Sequence, residues 1–331
     1  MKKTLALLLA LFMFIATFTG CADENPGKQD PNNEDNQPPV QDAENPATDF
    51  EYEENEDGGI TIKKYIGTDA DVIIPEQIDG KDVTVVGGFW AAYDFLSSVA
   101  FPNTVTTIKE SAFWRCNKLT TVTLSQNLTT INRDAFSECT SLANIVLPAS
   151  LETIKTRAFY GCTSLKHINI PAKLTTWWDE VFLDCKIETV DIAEGVTSIP
   201  DIAFAHNNIK KIVLPSSMKE IGIAAFAYCE NLESVVLNDG LETIGNQAFR
   251  GSALTEIVIP KTVANISEMA FNNCKVLKKV YFEGAAPEAY VNTIASDPPM
   301  VPENVDYTVY YHEGAEGFTS PEWCGYPAKI W

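Results

Sequence analysis

Positive charge and histidine are scarce in this chain. Its 331 residues include 24 Lys and Arg against 45 Asp and Glu, with only 3 His, and the formal net charge is −21. So acidic a surface repels nucleic acid, which excludes the nucleic-acid-binding classes. The scattered His167, His206 and His312, without any Cys-x-x-Cys pair, provide no metal site. We therefore expect no metal, no cofactor and no nucleic-acid partner.

Catalytic motifs are also missing. The chain contains no glycine-rich phosphate loop, no GxSxG, no HExxH and no EF-hand loop. Cys185 or Cys324 could form a nucleophile pair only with a distant histidine, and nothing in the sequence positions a base beside either thiol. We therefore predict that the protein is not an enzyme and has no catalytic residues.

An apolar run opens the sequence. Lys2 and Lys3 precede apolar residues 4–18, and Phe18-Thr19-Gly20-Cys21 follows. The run is short for a membrane span and a polar segment comes next, which is typical of a removed signal peptide over residues 1–20. The tetrapeptide resembles the bacterial lipobox. This resemblance implies lipid attachment at Cys21 and an exported protein, anchored at the cell envelope only through its lipid and exposed at the surface.

Residues 21–49 are rich in Pro, Asn, Gln and acids, with Val40 as the only large aliphatic residue. Such a segment buries too little apolar surface to offset its ordering entropy. We predict a disordered acidic tether here, followed by a folded body over residues 50–331.

A period of 22–23 residues governs that body. An Ala-Phe-like pair recurs in phase, and its aromatic members are Phe113, Phe136, Phe159, Phe182, Phe204, Phe226, Phe249 and Phe271. An Ile or Trp stands five residues before each Phe, and an apolar-x-apolar triplet, often closed by Pro, lies further upstream. The alternation predicts a strand with one buried face. The Ile-x-x-x-Ala-Phe stretch is too short for a normal helix, so we expect turns, a second short strand and one helical or 3₁₀ turn.

This pattern resembles the BspA-type leucine-rich repeat. The resemblance implies a right-handed α/β-type solenoid of about eight to nine 22–23-residue repeats. A parallel sheet would form one face and turns, 3₁₀ or helical turns the other. Residues 50–86 resemble a β-rich amino-terminal cap, 87–282 are the repeats, and 283–331 resemble the carboxy-terminal cap. Caps are needed because end units would otherwise expose apolar surface and an open sheet edge.

Six cysteines follow the repeat Phe by three residues: Cys116, Cys139, Cys162, Cys185, Cys229 and Cys274. Equivalent positions of stacked units place their side chains in one column with parallel directions, which suits a disulfide poorly. We predict that they are buried small side chains of a structural ladder, together with the Phe column. Cys324 stays open between a buried and a reactive thiol.

Two features are candidates for binding a partner. Outward-facing strand positions include a mildly apolar run with basic edges, and its members are Lys211, Val213, Val236, Val258, Lys279 and Tyr281. Trp178 follows Trp177, which fills the Ile slot and is expected in the core, whereas Trp178 is expected at the surface. Ordinary sheet surface is the alternative interpretation of the run.

These features favour a lipid-anchored protein-interaction module that adheres to host or neighbouring-cell proteins. The alternative is a carbohydrate-binding or envelope-scaffold protein without a host ligand. Stacked, exposed aromatic side chains would favour a glycan, and their absence would favour a protein.

Overall fold

A computed structural model describes residues 43–267, 269–289, 308–323 and 326–331. The predicted signal peptide, Cys21, most of the predicted tether and Cys324 lie outside these ranges. Residues 45–49, which their composition assigned to the tether, pack on the body. Asn45 is buried, its backbone N–H donates to the Ile73 carbonyl, and its side-chain oxygen accepts the Ile73 N–H. The described body therefore begins before residue 50, because Asn45 forms hydrogen bonds with the backbone of Ile73 at the edge of β3 (Asp71–Ile73).

The amino-terminal cap contains a 3₁₀ helix and five strands. These are the helix Ala47–Asp49, β1 (Phe50–Glu54), β2 (Ile60–Tyr65), β3 (Asp71–Ile73), β4 (Gln77–Ile78) and β5 (Lys81–Val86). β1 pairs antiparallel with β2, and β2 runs parallel to β5. The exposed acids Glu51, Glu53 and Glu54 lie on the edge strand β1, and charge on an edge discourages pairing with another chain. A second 3₁₀ helix, Phe89–Ala92, leads into the repeats.

Most repeats contribute a strand to a first ladder, which contains the apolar-x-apolar triplets; the repeat of Ile145 adds only an isolated bridge between Thr121 and Asn144. After β3, its strands are β6 (Ser98–Ala100), β8 (Thr121–Thr123), β11 (His167–Ile170), β13 (Thr189–Ile192), β15 (Lys211–Val213), β17 (Ser234–Val236), β19 (Glu256–Ile259), β21 (Lys279–Phe282), β23 (Thr308–Tyr311) and β25 (Tyr326–Ile330). Neighbouring strands that pair do so in parallel and in register. The short strand β24 (Glu322–Trp323) pairs antiparallel with β25.

Two-residue strands form a second ladder beside the first. They are β7 (Thr107–Ile108), β9 (Thr130–Ile131), β10 (Thr153–Ile154), β12 (Thr176–Trp177), β14 (Ser198–Ile199), β16 (Glu220–Ile221), β18 (Thr243–Ile244), β20 (Asn265–Ile266) and β22 (Glu288–Ala289). The ladder is interrupted between β12 and β14. Trp177 fills the Ile slot there, and its indole N–H reaches 2.9 Å to the Ser198 carbonyl of the next coil.

The third side of each coil is a turn centred on the repeat Phe. The residues two before and two after that Phe have left-handed backbones, as at Ser111 (φ 53°) and Arg115 (φ 60°). Backbone hydrogen bonds nevertheless run from coil to coil, for example from Phe113 N–H to the Ala135 carbonyl at 2.7 Å. This alternation of hand replaces the helical or 3₁₀ turn that the sequence led us to expect, and it keeps every coil's amides aligned with the next.

The predicted solenoid is confirmed, with about eleven turns once the caps are counted. It is a parallel β-solenoid, since the helical elements in the described ranges are the two 3₁₀ helices. Apolar side chains of all three sides meet in one continuous core. A single coil could not bury its apolar side chains alone, so stability arises between neighbouring coils.

Candidate interaction surface

The repeat phenylalanines form a column through the core. All eight are at most 1% exposed, and neighbouring ring centroids are 5.0–5.6 Å apart in stacked geometry. Phe89 extends the column into the cap, 4.8 Å from Phe113. The column holds the coils in register and is closed to any partner.

The six repeat cysteines are buried free thiols. Each Sγ lies near the carbonyl of the repeat Phe one coil earlier, as from Cys139 to Phe113 at 3.0 Å and from Cys162 to Phe136 at 3.2 Å. The thiol therefore donates a weak hydrogen bond to a buried carbonyl as well as filling space. Burial raises the pKa of Cys116 and of Cys229 to about 12, so both thiols stay protonated at neutral pH.

Asn207 occupies the cysteine position of its coil. Its side-chain nitrogen donates to the carbonyls of Phe182, Phe204 and Ala205, and its oxygen accepts the Ile187 N–H at 2.7 Å. In a coil with three residues from the cysteine to the next apolar residue, that residue's N–H donates within its own turn, as the Leu165 N–H does to the Cys162 carbonyl. The segment from Cys185 to Ile187 is one residue shorter than that from Cys162 to Leu165. The Ile187 N–H therefore takes its acceptor, the Asn207 side-chain oxygen, from the next coil.

Four of the predicted binding residues form one row on the outer face of the first ladder. Val213 is in register with Val236, and Val258 is in register with Tyr281. Tyr281 is in turn paired with Tyr310 of β23. The three valines are 52%, 47% and 42% exposed. We call Val213, Val236, Val258, Tyr281 and Tyr310 the valine–tyrosine row.

An aromatic cluster ends this row. Tyr281 and Tyr310 stack with centroids 4.9 Å apart, and Trp331 lies 4.8 Å from Tyr281 and 4.8 Å from His312. We call Tyr281, Tyr310, His312 and Trp331 the aromatic corner. The sequence pointed to Tyr281 alone, because the period is lost after residue 282. Pairing of β21 with β23 supplies the other members.

The two predicted lysines flank the row in different ways. Lys279 lies 3.8 Å from Glu256 on the neighbouring strand. The Lys279 ammonium donates a hydrogen bond to the Tyr281 hydroxyl, and this bond, aided by the negative charge of Glu256, raises the pKa of Lys279. Lys211 instead lines a cleft with Val213, so it is the more accessible cation for a partner.

That cleft lies between β13 and β15, where the first ladder is interrupted. It has a volume of about 550 Å³, and Val190, Ile192 and Leu214 supply its apolar lining. Val190 and Ile192, which the alternation predicts to be buried, are half-buried here. The cleft therefore offers recessed apolar surface at the end of the valine–tyrosine row.

The structure separates Trp178 from the other candidates. Its backbone N–H continues the second ladder by donating to the Ile154 carbonyl, and its side chain is 50% exposed. Trp177 is 7% exposed and makes an edge contact with Phe204, whose centroid is 6.0 Å away. Trp178 is thus a lone exposed aromatic on a different side of the coil from the row.

No group of three or more His, Cys, Asp or Glu side chains in the described part of the chain could hold a metal ion. Within the same residues, no helix combines the length and the apolar character that a membrane crossing requires.

Comparison with known proteins identifies the family. The model of the BspA type leucine-rich repeat region matches in six copies over residues 89–210 and 197–296, which is more than half of the chain. The chain therefore belongs to the BspA-type leucine-rich-repeat family. Members are leucine-rich repeat proteins, which generally serve as protein-interaction modules. No curated protein matches the sequence.

Similarity to a solved leucine-rich repeat structure supports the fold. A leucine-rich repeat protein from Bacteroides ovatus is 23% identical, with 86% of this chain and 75% of that one covered and a TM-score of 0.67. The T. pallidum leucine-rich repeat protein is 28% identical over 71% of this chain and 91% of that one, with a TM-score of 0.49. The pneumococcal vaccine antigen PcpA is 19% identical over 80% and 92%, with a TM-score of 0.40.

Proposed function

We propose that this protein is a lipid-anchored surface solenoid that binds a protein of the host or of a neighbouring cell through the valine–tyrosine row. One observation carries the proposal: an apolar row runs from a recessed cleft to an aromatic corner in which Trp331 is exposed, on a chain of net charge −21. Exposed aromatic side chains beside recessed apolar surface are typical of the residues that dominate protein interfaces.

The charges beside the row indicate the partner's character. Lys211 borders the cleft, while Lys279 is partly neutralised by Glu256. A partner with an apolar ridge and a carboxylate placed over Lys211 would complement both features. Two paired segments of the ladder, β15 with β17 and β19 with β21 and β23, carry the row, and the hydrogen bonds within each segment hold its side chains in place, so that little entropy is lost on binding.

The first test measures adhesion of the full chain to immobilised extracellular-matrix proteins and to neighbouring cells. The variant Val236→Lys/Val258→Lys places two charges in the row. The matched control, Ala100→Lys/Thr123→Lys, places the same charges at the equivalent positions of earlier coils. We expect the first pair to lower affinity at least tenfold, about 1.4 kcal/mol, and the control to bind normally.

Equal binding by both variants would show that the valine–tyrosine row does not contact the partner. Loss of binding on Trp178→Ala with the row intact would move the interface to the second ladder. If neither matrix proteins nor cells bind, the envelope-scaffold alternative replaces adhesion.

Anchoring is proposed from Cys21, which lies in the predicted lipobox. A Cys21→Ala chain, compared with the unaltered chain, should fail to incorporate radiolabelled palmitate and should leave the membrane fraction. The reason is that several acyl chains are needed for stable anchoring, each buried CH₂ contributing about 0.8 kcal/mol. Unchanged incorporation of label would place the lipid elsewhere and refute this assignment.

A further inference from the structure

A second row of side chains runs along the turn side of the solenoid. Its members stand two residues after each column Phe, and all have left-handed backbones with φ between 57° and 73°: Arg115, Glu138, Gly161, Asp184, His206, Tyr228, Gly251 and Asn273. Six of the eight carry a side chain, so this backbone accepts one. Glycine at the other two positions is therefore not required by the left-handed turn alone.

Two planar side chains stack in this row. The rings of His206 and Tyr228, from successive coils, have centroids 4.8 Å apart and planes 17° apart. The next position in the row is Gly251. A Cβ built on Gly251 would lie 3.2 Å from the Tyr228 ring, so any side chain there would cover that ring. With glycine, the stack stops and leaves a slot beside Tyr228.

That slot opens into a cleft of about 410 Å³, lined among others by Tyr228, Glu230, Asn273, Lys275 and Val276. Small-molecule sites have volumes of about 300–1,000 Å³ and combine apolar walls with a few polar groups. Here the walls are an aromatic ring and an aliphatic side chain, while a carboxylate, an ammonium and an amide surround the opening.

The chemistry of this lining defines the ligand. A pyranose ring presents C–H bonds on one face, which pack on an aromatic ring, and hydroxyl groups at its edge, which both donate and accept hydrogen bonds. The carboxylate of Glu230 accepts, the ammonium of Lys275 donates, and the amide of Asn273 does both. An aromatic side chain of a partner would fill the slot but would use none of these three exposed polar groups.

We propose that the cleft beside Gly251 is a glycan-binding site, in which one pyranose residue stacks on Tyr228 in the place of the missing side chain. Arg250 belongs to the coil of Gly251 and borders the slot, because its guanidinium lies over part of the same ring. Its guanidinium carbon lies 5.4 Å from the Tyr228 centroid and its Nη1 is held 2.8 Å from the Gln247 side-chain oxygen. The site is separate from the valine–tyrosine row, which lies on the first ladder.

Gly161 provides the internal control. It has the same place in its coil and a similar left-handed backbone, with φ 69° against 73° at Gly251. Its neighbour in the row is Glu138, whose nearest atom would lie 3.7 Å from an added Cβ. No ring stands there to stack a sugar. A side chain added at Gly161 therefore repeats the backbone change of Gly251 without touching the cleft.

The test is titration of the full chain with methyl glycosides of glucose, galactose, mannose and N-acetylglucosamine, followed by saturation-transfer NMR and calorimetry. We expect at least one glycoside to bind with its ring protons saturated from Tyr228. Gly251→Asn should weaken that binding at least tenfold, whereas Gly161→Asn should leave it unchanged. Tyr228→Leu should also weaken it, and Tyr228→Phe, which keeps the ring, should not.

Absence of binding by all four glycosides at about 10 mM, well above a millimolar dissociation constant, overturns the proposal. So does binding that Gly251→Asn leaves intact. If no glycoside binds but tryptophan amide saturates the cleft, the slot takes a partner's aromatic side chain. That result would also refute the glycan proposal. The Val236→Lys/Val258→Lys variant should retain glycoside binding, so failure of the protein-binding row and failure of this site are distinguished.

Discussion

Replacing Asn207 by cysteine restores the repeat consensus, and we expect it to destabilise the protein. A cysteine could still donate to the Phe182 carbonyl, as Cys229 does to Phe204 at 3.2 Å. Its sulfur would be only a weak acceptor for the Ile187 N–H, whose nitrogen lies 2.7 Å from the Asn207 side-chain oxygen. It would also lose the bonds to the Phe204 and Ala205 carbonyls.

The magnitude follows from these bonds. A buried N–H left without an acceptor costs about 1–3 kcal/mol, and each neutral hydrogen bond contributes about 0.5–1.5 kcal/mol. Because the two carbonyls lost by Asn207→Cys retain other possible partners, we expect a total of about 2–4 kcal/mol. Ser252→Cys is the matched control, since Ser252 is also buried in the cysteine column and touches the Cys274 sulfur at 3.1 Å. That variant should change stability by less than about 1 kcal/mol.

The assay combines urea unfolding, with the same m-value required of all variants, and amide hydrogen exchange of Ile187. Exchange of that single amide should accelerate at least tenfold in Asn207→Cys, because its oxygen acceptor is gone. It should stay slow in Ser252→Cys. Equal stability of the two variants, together with unchanged exchange at Ile187, would show that the shorter segment from Cys185 to Ile187 does not need the asparagine.

Three further outcomes are expected. Phe159→Ala should lower the free energy of unfolding by about 3–5 kcal/mol, because its fully buried ring lies between two stacked neighbours; a loss below 1 kcal/mol in urea unfolding would mean that the column closes over the gap. Arg115→Ala removes a half-exposed ion pair with Glu138 and should cost less than about 1 kcal/mol, with the difference vanishing at high salt. Cys116 and Cys229 should resist alkylation in the folded chain at pH 8, as followed by mass spectrometry; because burial raises their pKa from 9.0 to about 12, stability should fall as the pH rises from 9 towards 12, and a flat profile in that window would contradict the burial argument.

The sequence predicts the elements that recur by period. Alternation identified the first ladder, and the Ile slot identified the second, because both depend on which side chains face the core. The left-handed turns could not be predicted in the same way. Ile202 has φ 58°, although β-branched residues disfavour that conformation. Its backbone is imposed by hydrogen bonds to neighbouring coils, which no local signal at residue 202 reveals.

The candidate surface was predictable only where the period holds. Val213, Val236 and Val258 were placed outward by alternation, and the structure places them in one exposed row. Tyr310 pairs with Tyr281 although 29 positions separate them, which is not a repeat length. The aromatic corner therefore depends on a pairing that spacing cannot supply. The slot at Gly251 was missed because a single glycine acquires meaning only beside the ring of Tyr228.

Departures from the repeat fall into two physical kinds in this solenoid. Asn207 and Trp177 break the consensus, but each finds partners within the chain, at Ile187 and at the Ser198 carbonyl. At both positions the substituted side chain forms a hydrogen bond between neighbouring coils. Gly251 instead leaves a cleft beside the ring of Tyr228, and the valine–tyrosine row leaves apolar side chains in solvent. A departure from the repeat that has no partner within the chain costs stability in the isolated protein. We infer that a binding partner covers such positions, so substitutions there should alter binding more than folding.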